Sequence, residues 1–273
     1  MKLKEVFYGL GLRPPAREYG FDILEYPLGA DGPVQFAQWR HPNALLTPSV
    51  PSIDEVNGLR RWLKPGDVAI DIGAHSGDST LPIALAVGPT GLVIAFEPNR
   101  YVFRVLVANA GLNRLKTNIH PYQFAAGSTD GPMTFEYSDS GFCNGGRHEG
   151  IGRWRHAHFF PLDVEARNIP NLLTGLYPAE TLNKLRFVKI DTEGFDHVVY
   201  KSLVPLITRT KPVIRTEIFR HMPEADRVAY LRDLESAGYR VHRMRSDFDY
   251  VGEPITPADA TRWPHFDVLA IPA

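Results

Sequence analysis

From residue 67 to residue 218, short apolar, largely β-branched runs alternate with segments of helical spacing, and this alternation constrains the chain more than any other feature. Residues 67–72, 91–96, 119–124, 185–190 and 212–218 are short, rich in apolar residues and read as strands, most of them buried. Helices are predicted over 76–87, 99–110, 195–203 and 224–237. The expected fold is therefore α/β, a doubly wound and mainly parallel sheet of about seven strands. Residues 133–137 read as an extra strand, and 239–244 with 266–271 as a closing antiparallel edge hairpin. A further helix is expected from cap Ser52 to Leu63, with Glu55 as the capping-box partner.

The chain has 273 residues, which divide into an N-terminal extension over 1–55, for acceptor-side or oligomer contact, and one main domain over 56–273. An insert over 138–160 breaks the strand–helix rhythm, and long inserts of this kind tend to be functional loops. Thirty Lys and Arg against 31 Asp and Glu leave no basic footprint for a nucleic-acid partner. No apolar run reaches the roughly 18 residues that a membrane span needs. Cys143 stands alone, which excludes an internal disulfide and any cysteine-rich zinc site, and points to a reducing, cytoplasmic setting.

Two strand ends carry chemistry. Asp71-Ile72-Gly73-Ala74-His75-Ser76-Gly77 puts an acid and two glycines where the first strand turns into a helix, the place where doubly wound sheets meet their ligands. The spacing is neither G-x-G-x-x-G nor a P-loop. An acid at this turn repels a pyrophosphate and suits an ammonium, which favours S-adenosylmethionine over a dinucleotide. About 20 residues on, Glu97 ends the second strand, where an acid accepts ribose hydroxyls, and Asn99 can cap the next helix or touch the adenosine as a cofactor-binding residue. At the far strand ends, Asp191 and Glu193 are two apart and share a side, with Glu217 on the neighbouring strand and His221 just beyond. Acids so placed can orient a hydroxyl, remove its proton or bind a divalent cation.

Together these blocks resemble the FkbM-type methyltransferase family. The match runs from Asp71-Ile72-Gly73-Ala74 through Phe96-Glu97-Pro98, Ala125-Ala126-Gly127 and Pro161-Leu162-Asp163 to Lys189-Ile190-Asp191-Thr192-Glu193-Gly194 and Glu217. The resemblance implies a class I, Rossmann-like methyltransferase fold, S-adenosyl-L-methionine as cofactor and a hydroxyl acceptor on a sugar or natural product. It implies that Asp71, Gly73, Ala74, His75, Ser76 and Gly77 line the methionine end, Glu97 holds the ribose, and Ala125 and Ala126 lie near adenine. Asp191 and Glu193, with His221 as second choice, are the candidate proton acceptors. Arg147, Arg153, Trp154 and Arg155 of the insert, with Glu217, are the candidate acceptor-binding residues. No metal ligand is assigned and metal-independent transfer is expected; a homo-oligomer is left open. The rival readings are a nicotinamide oxidoreductase and a donor-binding module without turnover.

Overall fold

The computed structural model describes residues 6–8, 10–146, 159–247 and 249–273. The N-terminal segment begins with an antiparallel pair, β1 (Phe21–Pro27) and β2 (Pro33–Trp39). Two short helices follow, α1 (Pro42–Leu46) and α2 (Ile53–Leu59). Ser52 caps α2 as expected, accepting from Asp54 N at 3.2 Å. The helix ends four residues short of the predicted Leu63, and Glu55 does not serve the cap but lines a cavity described below.

The regular core opens with β3 (Val68–Ile72), α3 (Thr80–Val87), β4 (Leu92–Phe96), α4 (Arg100–Leu112) and β5 (Ile119–Tyr122). Every residue of β3, α3 and β4 is buried, which is why the sequence carries no amphipathic alternation there. The first core helix starts at Thr80 rather than at the predicted position 76, because residues 74–77 close a turn first, with Gly77 N donating to Ala74 O at 2.8 Å. Asn99 caps α4 through its side chain, accepting from Tyr101 N at 3.0 Å.

A second sheet follows, built from β6 (Ala125–Gly127), β7 (Gly131–Tyr137), β8 (Gly145–Gly146) and β9 (Phe160–Asn168), in the order β6-β9-β7-β8. The extra strand expected at 133–137 thus belongs to its own sheet. Its principal partner, β9, alternates buried and exposed residues with period 2 and went unread because Pro161 interrupts the apolar pattern. Helices α5 (Ile169–Leu176) and α6 (Ala179–Leu182) lead back to the core.

The second half contributes β10 (Leu185–Ile190), α7 (Asp196–Thr210), β11 (Val213–Ile218), α8 (Glu224–Ser236), β12 (Tyr239–Arg243) and β13 (Phe266–Pro272). Helix α7 runs seven residues beyond its predicted end, through Pro205, because Leu206 and Ile207 are buried and hold its last turns to the core. The main sheet has seven strands in the order β12-β13-β11-β10-β3-β4-β5. It is mixed: β11, β10, β3, β4 and β5 are parallel to their neighbours, and β13 is antiparallel to both β11 and β12. The expected antiparallel pair of the last two strands stands at the edge, with β13, the one reversed strand of this sheet, inside and β12 outermost.

Alternate residues along each strand feed opposite layers. Ile70, Ile72, Ile94 and Val188 pack against Val199, Leu203 and Leu234 of α7 and α8, while Ala69, Val93, Ala95 and Phe187 face Ile83, Ala84 and Val87 of α3. The N-terminal pair is fastened to this core by α4. Asn109, buried, accepts from Ala37 N at 2.6 Å and donates to Ala37 O at 3.2 Å; one turn on, Asn113 accepts from Gln35 N at 3.0 Å and donates to Gln35 O at 2.7 Å. Two side-chain amides thereby give β2 the hydrogen bonds that a neighbouring strand would supply, which brings residues 36–55 against the carboxyl ends of the main sheet.

Candidate functional site

A cavity of about 440 Å³ opens at the carboxyl ends of β3, β4 and β10, within the size range of small-molecule sites. Its floor is set by Gly73, with φ +79°, where a Cβ would collide with the carbonyl oxygen of Asp191. Only glycine lets the β3 turn and the β10 end approach this closely. His75 (φ +48°) and Glu193 (φ +55°) also take left-handed backbone, a strained choice for side chains of their size and one that gathers at sites.

Asp71 lies below this floor and does not line the cavity. It is completely buried, its Oδ2 accepts from Ser79 Oγ at 2.9 Å and Thr80 Oγ1 at 2.7 Å, and its Oδ1 lies 3.4 Å from Lys189 Nζ. Lys189, also buried, reaches Asp191 Oδ2 at 3.3 Å and donates to Gly73 O at 3.2 Å. Burial works against the ammonium, but Asp191 and Asp71 outweigh it and hold the Lys189 pKa above its ordinary value. The same pairing works in reverse on Asp191, whose carboxylate faces the cavity: burial pushes it up, Lys189 overrides this, and it stays below the usual carboxylate range.

Glu193 differs sharply. It lines the cavity and makes no hydrogen bond or ion pair to any described residue, and burial, aided by Asp191, pushes its carboxyl up to about 7. Its loop is held from beneath by buried Asp196, which accepts from Thr192 N at 3.3 Å, Thr192 Oγ1 at 3.2 Å and Gly194 N at 3.1 Å.

On the β4 side, both oxygens of Glu97 accept backbone N–H groups, Oε2 from His75 at 2.9 Å and Oε1 from Asn99 at 2.8 Å. Burial still raises its pKa. Asn99 lines the cavity and donates to Phe142 O at 2.6 Å. Glu97 stands at a junction: it borders the main cavity and also an adjoining apolar slot lined by Phe124, Ala125, Ala126, Phe135 and Phe195.

The structure thus gathers Gly73, His75, Glu97, Asn99, Asp191 and Glu193 at one cavity, with Ala125 and Ala126 in the slot beside it. Ala74, Ser76 and Gly77 are buried behind the turn; Gly77 (φ +95°) is where a Cβ would press on Leu106 Cδ1 at 3.1 Å. Glu217 lines neither space. Its Oε1 lies 3.0 Å from His265 Nδ1, its Oε2 is buried without a partner, and burial among Asp196, Asp191 and Glu193 raises it to about 10. His221 is likewise off the cavity, edge-on to Phe219 with ring centroids 5.4 Å apart. Arg147, Arg153, Trp154 and Arg155 lie outside the described residues. Of the insert, Cys143, Asn144 and Gly145 reach the cavity, and burial pushes the Cys143 thiol up to about 12, so it stays protonated.

Sequence reasoning missed Glu55, Asp78, Ser79, Lys189, Arg215 and Asp247, all of which line the cavity. Lys189 left a readable sign, a lone charge in an otherwise apolar strand that demands a buried partner. Glu55 and Asp247 left none, since tertiary packing alone brings them in. Among the described residues, no group of three or more His, Cys, Asp or Glu is placed to hold a metal ion, and no helix is long and apolar enough to cross a membrane.

A family model described as Methyltransferase FkbM domain matches residues 71–241. No curated protein matches the sequence significantly. Among solved structures, a methyltransferase FkbM from Methylobacillus flagellatus is similar at 14% identity and a TM-score of 0.45, over 75% of this chain and 43% of that one. This chain therefore spans less than half the length of that relative. A precorrin-6y C5,15-methyltransferase from Geobacter metallireducens is similar at 14% identity and a TM-score of 0.42, over 82% of this chain and 92% of that one. The Aeropyrum pernix fibrillarin bound to S-adenosyl-L-methionine shares 13% identity at a TM-score of 0.43, over 94% of this chain and 85% of that one.

Proposed function

The chain belongs to the methyltransferase FkbM domain family, and from that premise we propose that it carries a methyl group from S-adenosyl-L-methionine to a hydroxyl of a sugar or natural-product acceptor in the cavity at the β3, β4 and β10 ends. The observation that carries this reading is Glu97. Each of its oxygens spends one lone pair on a backbone N–H and keeps another, so the two together can receive a pair of vicinal ribose hydroxyls. The apolar slot of Ala125 and Ala126 beside Glu97 would receive the adenine base, and His75 and Ser79 in the polar cavity would face the amino-acid end. The donor set fits the cofactor.

When bound, S-adenosylmethionine supplies an electrophilic sulfonium methyl: the acceptor oxygen forms the new C–O bond as the C–S bond breaks and its electron pair stays on sulfur. The chain's part is placement and the proton. Glu193 is the better base of the two adjacent acids. Asp191 is tied to Lys189 and held low, whereas Glu193 has no partner among the described residues and is pushed up to about 7, so it can take the hydroxyl proton at neutral pH. Asp191, with Lys189 behind it, orients the hydroxyl. Residues 56–273 form the transferase unit, residues 1–55 add a wall on the acceptor side, and the lone Cys143 suits a cytoplasmic setting.

The test is calorimetric titration with S-adenosylmethionine, with NADH as the competing ligand, followed by labelled-methyl transfer to a panel of hydroxylated acceptors. Saturable donor binding with label in an alkali-stable ether is the expected result. Binding of NADH in place of the donor, or donor binding with no transfer to any acceptor, overturns the reading.

A further inference from the structure

One wall of the cavity takes no part in holding the donor. It is built from α2, which supplies Glu55, and from the connection between β12 and β13, which supplies Asp247. Both residues fall outside the 71–241 stretch that matches the family model. Resting on the methyltransferase reading above, we propose that Glu55 anchors the acceptor and that the group it receives is an ammonium carried near the hydroxyl to be methylated.

The argument is one of charge and of partners. Glu55 faces the cavity and has neither a hydrogen bond nor an ion pair to any described residue. The described lining holds six carboxyl groups, on Glu55, Asp78, Glu97, Asp191, Glu193 and Asp247, against only two permanently basic side chains, Lys189 and Arg215. Neither base is free to serve Glu55. Lys189 is taken by Asp71, Asp191 and Gly73 O. Arg215 is engaged by Asp247 Oδ1 at 2.6 Å and Asp267 Oδ2 at 3.4 Å.

A carboxylate or phosphate on the acceptor would face a described lining in which carboxyl groups outnumber basic side chains. A neutral polyol would leave Glu55 facing no counter-charge. An ammonium supplies the missing partner and makes a charge-assisted hydrogen bond, the strongest kind open to this wall. Burial, aided by Asp247 and Asp78 and opposed by Arg215 and Lys189, pushes Glu55 up to about 8, and a cation bound beside it would draw it back down.

The experiment uses the full chain loaded with S-adenosylmethionine and three sugars of one shape, glucosamine, glucose and glucuronic acid, titrated by calorimetry. Glucosamine is expected to bind at least about tenfold more tightly than glucose, as one added charge-assisted hydrogen bond provides, and glucuronic acid most weakly. In Glu55→Gln the preference for glucosamine over glucose should collapse, while donor affinity stays within about twofold. Glucose or glucuronic acid binding as tightly as glucosamine, no saturable glucosamine binding, or a Glu55→Gln protein that keeps the preference would each overturn the proposal. The wild-type series decides it even where the variant does not fold. Failure to bind S-adenosylmethionine at the outset instead removes the methyltransferase reading on which it rests.

Discussion

The β3–β4 edge and the β10 edge each carry a pair of acids, and the two pairs are spent differently. Asp71 and Glu97, on β3 and β4, are held by the fold: one takes two hydroxyls and an ammonium, while the other takes one backbone N–H on each oxygen and keeps a lone pair on each. Asp191 and Glu193, two residues apart at the end of β10, divide the labour. Asp191 shares Lys189 with Asp71, and Glu193 has no partner among the described residues. An acid whose lone pairs are filled by the protein shapes the site, while one left unfilled in a cavity is available for chemistry. A family motif presents all four as equals, and only their partners separate them.

The sharpest way to break this contrast is Glu193→Gln, which removes the unfilled acid and nothing else. Methyl transfer should fall by about 10²–10⁴-fold, as for loss of a general base, with donor affinity unchanged. In the wild type, kcat should rise with pH through about 7 as Glu193 loses its proton, and that limb should vanish in the variant. A pH–rate profile that keeps the limb transfers the role to another group.

Lys189→Met tests the filled side. It leaves Asp71 buried and Asp191 unpaired, and should cost about 3–5 kcal/mol in denaturant unfolding, since breaking a buried pair strands a charge. A loss near zero would mean that the Asp71–Lys189–Asp191 chain does not hold the two strand ends together.

Glu97→Gln comes next. The amide keeps the shape but points an N–H at one of the two backbone donors it faces, and donor binding should weaken by about 1.5–3 kcal/mol by calorimetry. Unchanged donor affinity would move the ribose elsewhere.

The smallest effect on turnover is expected at Glu217, which is filled by its own proton. Burial holds that proton up to about 10 in the folded chain, above the ordinary carboxylate value, so the folded state binds more protons than the unfolded one and stability declines as pH rises from about 4.5 toward 10. Glu217→Gln removes this slope, and should match the wild type at pH 4 while being the more stable of the two at pH 8. Thermal unfolding at the two pH values measures it, and equal shifts at both would refute the assignment.

Much of this was legible in the sequence. The runs at Val68–Ile72, apolar but for Asp71, and Leu92–Phe96 fix buried parallel strands, and the acids and glycines at their ends fix where a ligand must sit, because strand ends and turns are local events. Gly73, Glu97, Asp191 and Glu193 were found that way. The cap at Asn99 was equally plain, since a side chain two residues from its N–H needs no distant partner. The local pattern misled where packing overrode it: Ser52 and Glu55 have capping-box spacing, yet Glu55 turns into the cavity.

What the tertiary structure decided is which charges are paired. Asp71 reads as a ligand-facing acid until Lys189, 118 positions away and directly across the β3–β10 register, claims it. Asn109 and Asn113 look like ordinary helix residues until they are seen holding β2, and through it the wall that carries Glu55. Hydrophobic periodicity and turn chemistry are encoded within a few residues of the chain, whereas the partner of a buried polar group can come from anywhere in it. The sequence determined the strands, the turns and the acids at their ends; the fold alone determined which of those acids remains free to act.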